Sequence, residues 1–288
     1  MICMQKPELI FFDMKKLTIY GLGAAASLLA ITGCEEDNGA GNGDVVKEWT
    51  IALSGELEVP STNRTETGTA HLVLYTNNEL EYEIRVDELA SGDELTMAHV
   101  HTGDPVTSGP VAITIVDGDT RSFSGTTAVG SVALTQENVD LMMGDSIYFN
   151  VHSAQAPAGL IRGQIDQEIV FADDIRLESD NEVPPVAVNE ASASAHIRLT
   201  ADNILFYKVK DVEVAVPDPI TAGHIHKGAA GTNGEVEIDL AFEQDDVNTT
   251  KKLTLNAGQV DLLNNEDTYL NLHSTLAPDG LMRGQIDR

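Results

Sequence analysis

"TAHLVLYTNNELEYEIRV" occupies Thr69–Val86, and its reading decides the fold. Leu80, Tyr82, Ile84 and Val86 alternate with Glu81, Glu83 and Arg85. In an extended chain that alternation makes one apolar face and one charged face. Asn77-Asn78 separates this run from an equally alternating one before it, which predicts a tight hairpin. The pattern returns in "ASAHIRLTADNILFYKVKDV", Ala193–Val212. His71 in the first stretch and His196 in the second lie 125 residues apart.

That spacing runs through the chain. "MAHVHTG" (Met97–Gly103) and "AGHIHKG" (Ala222–Gly228) repeat His-x-His at the same 125-residue interval, and His152 and His273 lie 121 apart. All eight histidines thus fall into four pairs, the signature of an internal duplication. "PVAITIV" and "SIYFNVHS" read as further strands, and the second half replays them as "GEVEIDLAF" and "TYLNLHS". "TQENVDLMMGD" (Thr135–Asp145) predicts one short helix, capped by Thr135 and stopped at Gly144. Many short strands at this spacing predict an all-β protein of two tandem antiparallel β-sandwich or barrel domains, at 48–166 and 168–288. With only Gln167 between them, restricted relative motion is expected.

The beginning of the chain reads as an address. Met14-Lys15-Lys16 opens "MKKLTIYGLGAAASLLAITGC", a positive start, an apolar run too short for a comfortable membrane span, small residues, then Cys34. "ITGC" (Ile31–Cys34) resembles the bacterial lipobox, which implies cleavage before Cys34 and its lipidation, with residues 14–33 as the signal. Residues 1–13 place Glu8 and Asp13 ahead of that signal, where acidic side chains hinder export, so they read as a misassigned extension. "EEDNGAGNGD" after Cys34 predicts a flexible acidic and glycine-rich tether over 34–47. Acidic residues there also resemble a surface-export signal. Export with a lipid anchor implies the bacterial cell envelope, expected as the outer membrane with the protein on its periplasmic or outer face.

Charge narrows the partners. Seventeen basic against 46 acidic residues give −29 over 288 residues. Such a chain repels phosphate backbones, which excludes nucleic acid as a partner. Cleavage before Cys34 would remove Cys3, leaving one cysteine, so neither a disulfide nor a thiolate metal site could form. "VDGDT" (Val116–Thr120) lacks the regular ligand spacing of a calcium loop and reads as a turn.

Within the duplication one stretch has drifted least. "HSAQAPAGLIRGQID" (His152–Asp166) and "HSTLAPDGLMRGQID" (His273–Asp287) agree at 11 of 15 positions. Two residues apart on a strand share a face. His99 pairs with His101 in this way, Tyr148 with Asn150 and His152, and Arg162 with Gln164. In the second copy the same holds for His224 and His226, for Tyr269, Asn271 and His273, and for Arg283 and Gln285.

"AHVHTG…GPVAI", "YFNVHS…APAGLIRGQI" and the upstream "LEVP" resemble the CHRD domain, first described in chordin and common in bacterial envelope proteins. "NEVPP" (Asn181–Pro185), "GHIHKGAAGTNGEVEIDL", "YLNLHS" and "GLMRGQI" repeat the resemblance in the second copy. Leu160 and Leu281 stand where the family usually carries the Glu of "GEIRGQ". The resemblance implies an immunoglobulin-like β-barrel with limited similarity to copper/zinc superoxide dismutase, and no settled biochemical activity.

Two readings of the polar residues follow. His99, His101 and His152, and likewise His224, His226 and His273, have the residue types and spacing to bind copper or zinc. His71 and His196 are then candidate fourth ligands or supporting donors, as are Asn150, Asn271, Arg162, Arg283, Gln164 and Gln285. The other reading is a hydrogen-bonded network without an ion, which an always-charged arginine beside the histidines favours. Catalysis is not expected. Ser153 and Ser274 point away from their neighbouring histidines, Glu58 and Glu182 in "EVP" read as turn or strand-end residues, and no glycine-rich phosphate loop is present. The overall expectation is a non-catalytic binding or scaffolding module for an extracytoplasmic protein or polysaccharide; the alternative is a copper- or zinc-binding, redox-capable envelope protein.

Overall fold

The computed structural model describes residues 43–144, 146–186 and 189–287. The extension, the signal, Cys34 and the tether as far as Asn42 lie outside the described residues. The tether gives way to regular structure at Val45, earlier than the expected domain boundary.

The first half contains β1 (Val45–Ser54), β2 (Thr67–Tyr75), β3 (Glu79–Asp87), β4 (Leu95–Thr102), β5 (Val111–Val116), β6 (Thr127–Ala133), β7 (Ile147–Ser153) and β8 (Ile161–Gln164). The second contains β9 (Ile169–Glu178), β10 (Ala191–Thr200), β11 (Ile204–Val214), β12 (Ile220–Lys227), β13 (Val236–Asp239), β14 (Lys251–Thr254), β15 (Thr268–Ser274) and β16 (Met282–Ile286). Each half makes one antiparallel sheet. Their orders, β5-β4-β7-β8-β1-β2-β3-β6 and β13-β12-β15-β16-β9-β10-β11-β14, are the same topology twice. The join between β8 and β1 is thin, a single residue pair Ser54↔Arg162. There the sheet folds over, so that its two four-stranded halves face each other across one core.

Alternation places that core. Leu80, Tyr82, Ile84 and Val86 of β3 are buried against Leu72 and Leu74 of β2 and Ile147, Phe149 and Val151 of β7. A separate core in the second half gathers Ile197, Leu199, Leu205, Val209, Leu270 and Leu272. Each domain therefore buries its own apolar faces, as domains of this size do without disulfides. Leu160 and Leu281 are fully buried, which accounts for an apolar residue at that position.

Local signals match. Asn78 closes the β2–β3 hairpin with a positive φ of 65°, and its N–H donates to Tyr75 O. The first helix, α1 (Gln136–Gly144), starts where Thr135 Oγ1 accepts from Asn138 N. Its counterpart α2 (Ala257–Asn265) is capped by Asn256, with Gln259 completing a capping box. Asp117 is a turn residue, its carboxylate accepting the N–H groups of Asp119, Thr120 and Arg121. Among the described residues no helix is long and apolar enough to cross a membrane.

The two domains are docked. Arg198 on β10 donates from Nη2 to Glu58 O of the first domain at 2.8 Å, and Ser61 N donates to Asp174 Oδ2 on β9 at 2.5 Å. Val59, Thr107 and Ser108 of the first domain face His196, Lys208 and Lys210 of the second across a small groove. The loop end of one domain thus sits on the outer sheet face of the other.

Candidate metal centres

The outer face of β4 and β7 builds the first site. These strands are neighbours, with Met97 opposite His152, His99 opposite Asn150 and His101 opposite Tyr148. Ala98, Val100, Phe149 and Val151 turn into the core, so Met97, His99, His101, Tyr148, Asn150 and His152 share the other face. Strand β8 extends this face with Arg162 beside Asn150 and Gln164 beside Tyr148. Loops then cover it, and His99, His101, His152, Asn150, Arg162 and Gln164 are all buried.

Arginine and glutamine hold the covering loop. Arg162 donates to Thr107 O and Asp104 O at 2.9 and 2.8 Å, and Gln164 Nε2 donates to Gly103 O at 2.8 Å. Arg162 also lies over the ring of Tyr148, its Cζ 3.4 Å from the ring centre, and His101 stacks on the same ring at 4.9 Å. Arg283, Gln285 and Tyr269 repeat this in the second domain, with Arg283 donating to Thr232 O, Gln285 to Gly228 O and His226 stacked on Tyr269. These residues form the network that the second sequence reading foresaw.

The histidines join the same hydrogen bonding, but with nitrogen atoms left over. His101 Nδ1 is 3.0 Å from Gly109 O, and His152 Nδ1 is 3.2 Å from Pro157 O. A carbonyl only accepts, so both Nδ1 atoms carry the proton and both Nε2 atoms are left with bare lone pairs. The Nε2 of His152 meets His99 Nδ1 at 3.1 Å. That of His101 is buried without a partner. One ligand nitrogen from each of the three rings lies within 4.8 Å of the others.

The second domain reproduces the arrangement. His224 Nδ1 is 3.0 Å from His273 Nε2, His226 Nδ1 is 3.0 Å from Gly234 O, and His273 Nδ1 is 3.0 Å from Pro278 O. The Nε2 of His226 is again buried and unpartnered. Burial, with the neighbouring imidazole second, pulls the pKa of His152 down to about 4. Burial also lowers those of His99, His101, His224 and His226. For these five histidines burial favours the neutral ring, the protonation state in which imidazole binds a metal.

His71 and His196 are not brought to these trios. They lie on β2 and β10, on the outward face of the opposite half of each sandwich. There His71 Nε2 pairs with Glu48 at 2.7 Å and His196 Nδ1 with Asp174 at 2.7 Å. The 125-residue repeat fixes that they are equivalent, and only the sheet order fixes which side they occupy. Ser153 is likewise turned from its histidine, its Oγ donating to Asp93 at 2.8 Å.

Glu58 is more than a turn residue. It is buried beneath Gly159 and accepts from Asn150 Nδ2 at 3.2 Å, and burial, opposed by Arg162, raises its pKa to about 7. Glu182 repeats this beside Asn271 and Arg283, also at about 7. Glu58 Oε1 and Asn150 Oδ1 lack partners, as do Glu182 Oε1 and Asn271 Oδ1. An acid within the sequence "EVP" gives no sign of this burial, because the fold-over between β8 and β1 creates it.

The family model for the CHRD domain matches residues 49–165 and again 174–286. The chain belongs to the CHRD domain family. No curated protein and no solved structure matches it. Each CHRD domain carries one histidine trio, at the same place on the same pair of strands.

Proposed function

We propose that this CHRD protein is exported, lipid-anchored through Cys34, and binds one copper or zinc ion in each domain through His99, His101 and His152 and through His224, His226 and His273. What supports the reading is the fixed tautomer of the carbonyl-bonded rings. Backbone carbonyls hold the Nδ1 protons of His101 and His152, so the His101 Nε2 lone pair is free. That of His152 Nε2 accepts from His99 Nδ1–H, which an ion would displace, and the three nitrogens lie within 4.8 Å of one another. A carbonyl acceptor behind each ligating imidazole is the support that metal-bound histidines ordinarily have. Three neutral imidazoles suit copper or zinc, and hard cations that prefer oxygen ligands fit poorly. The pinning by Arg162, Gln164, Arg283 and Gln285 keeps in place the loops that supply the Gly109 and Gly234 carbonyls.

Elemental analysis and calorimetric titration with zinc(II) and copper(II) test this on the whole mature chain. The expected result is close to two ions per chain, lost in the His99→Ala/His101→Ala/His224→Ala/His226→Ala variant. Absence of tight binding, with the variant merely less stable, would make the histidines architectural. The protein would then be a non-catalytic binding or scaffolding module for an extracytoplasmic protein or polysaccharide.

A further inference from the structure

The two trios differ in what stands beside them. In the first domain the register places Met97 directly opposite His152, on the face shared with His99 and His101. Directly opposed residues of an antiparallel pair hold their Cβ atoms about 5 Å apart, within reach of a long thioether side chain. Met97 is 39% exposed, an apolar side chain on the outer face that takes no part in the core. In the second domain the residue opposite His273 is Ala222, which offers no ligand.

The other flank differs in the opposite sense. His99 faces Thr114 across β4–β5, whereas His224 faces Asp239 across β12–β13. Asp239 Oδ1 stands 4.0 Å from His224 Nε2. His273 Nδ1 holds its proton on Pro278 O, so without an ion His224 Nδ1–H donates to His273 Nε2. An ion taking the His224 Nδ1 lone pair would move that proton to Nε2, the atom that faces the carboxylate. A carboxylate behind a ligating imidazole raises its basicity and adds negative charge near the ion. One trio thus has a soft thioether on a neighbouring strand position, and the other a hard carboxylate 4.0 Å from one of its imidazoles.

We infer that the two sites select different ions: the first domain copper(I), with Met97 as fourth ligand, and the second a divalent ion, zinc(II) or copper(II), with Asp239 supporting His224. Thioether sulfur favours copper(I), while imidazole backed by carboxylate favours a doubly charged ion. This inference rests on the proposed metal reading of the trios and deepens it.

Both discriminating side chains are exposed, so Met97→Ala and Asp239→Asn leave the cores intact. The whole mature chain would be titrated with copper(I) under anaerobic conditions against a chromophoric competitor, and separately with zinc(II). Met97→Ala is expected to weaken copper(I) binding by on the order of tenfold, to remove a sulfur scatterer from the copper X-ray absorption spectrum and to leave zinc unchanged. Asp239→Asn is expected to weaken zinc by about tenfold and leave copper(I) unchanged. Metal bound at both trios with no sulfur scatterer, or with neither variant altering the preference, would overturn the inference while leaving the metal reading standing. No metal bound by the unaltered chain would overturn both.

Discussion

Replacing Arg198 with methionine tests how the CHRD domains are joined. Its guanidinium is fully buried and reaches across the boundary. Nη2 donates to Glu58 O of the first domain, and Nη1 donates to Asp173 O and to Asp174 Oδ1 at 2.9 Å. Methionine fills much of the same volume and cannot donate. The change leaves the Asp174 carboxylate without its guanidinium partner, and Glu58 O and Asp173 O without the donors that Arg198 supplied. Removing one member of a buried charge pair costs about 3–5 kcal/mol. Asp174 keeps His196 at 2.7 Å and Ser61 N, which places the expected loss near the lower end, about 3 kcal/mol. That loss falls on the second domain and on its attachment to the first. The chain's single tryptophan, Trp49, is buried in the first domain, so its fluorescence follows that domain alone, while far-ultraviolet circular dichroism follows both. In urea the parent protein should unfold with the two signals coincident. Arg198→Met should split them, with the dichroism falling first and Trp49 later. Coincident transitions, or a midpoint shift worth under about 1 kcal/mol, would refute the idea that this contact couples the domains.

Three further outcomes follow. Glu58 is raised in the folded state from 4.5 to about 7, so folding takes up a proton between those values and its contribution to stability, full below pH 4.5, is lost as pH rises through 7. Glu58→Gln should therefore flatten the fall in stability between pH 5 and 8 by roughly 3 kcal/mol, read from urea midpoints across that range; equal slopes for both proteins would contradict the burial argument. A Cβ at Gly163, in the Arg-Gly-Gln stretch of β8, would collide with Ala52 O of β1, so Gly163→Ala should cost about 2 kcal/mol or more by thermal melting, and a neutral result would mean the fold-over has slack. Cys34→Ala should move the protein from the detergent phase to the aqueous phase in phase-separation assays, and retention in the detergent phase would point to another anchor.

Much of the architecture was legible because a strand repeats every two residues. The alternation of Leu80, Tyr82, Ile84 and Val86 with charged neighbours placed a core face, and the same rule put His99 with His101 and Asn150 with His152. A duplicated pattern within one chain supplied a second reading of each strand. Sheet order and register were out of reach, since both depend on contacts between distant segments. Hence His71 and His196, equivalent by spacing, could not be assigned to a side of the sandwich. Met97 beside His152 and Asp239 beside His224 come from strand pairings interrupted by irregular register, which composition does not record. The burial of Glu58 and the docking role of Arg198 were hidden for a related reason. Neither gains its meaning until two parts of the chain far apart in sequence meet.

The docking also limits growth. In the first domain Val73 stands at the place of Arg198, Glu83 at that of Lys208 and Thr50 at that of Asp174, as judged from their register around His71 and His196. The second domain has the same kind of loop as the first, with Val183-Pro184 for Val59-Pro60. A second molecule's loop arriving at the first domain's sheet would meet neither the arginine nor the aspartate that receives Glu58 and Ser61. Head-to-tail contacts of this kind propagate into open fibres when every unit offers both a plug and a matching socket. Here divergence between the copies has left one socket per chain, and the chain fills it itself. Among the described residues, the contact that joins the two domains within a chain is thereby closed to a loop from a neighbouring molecule.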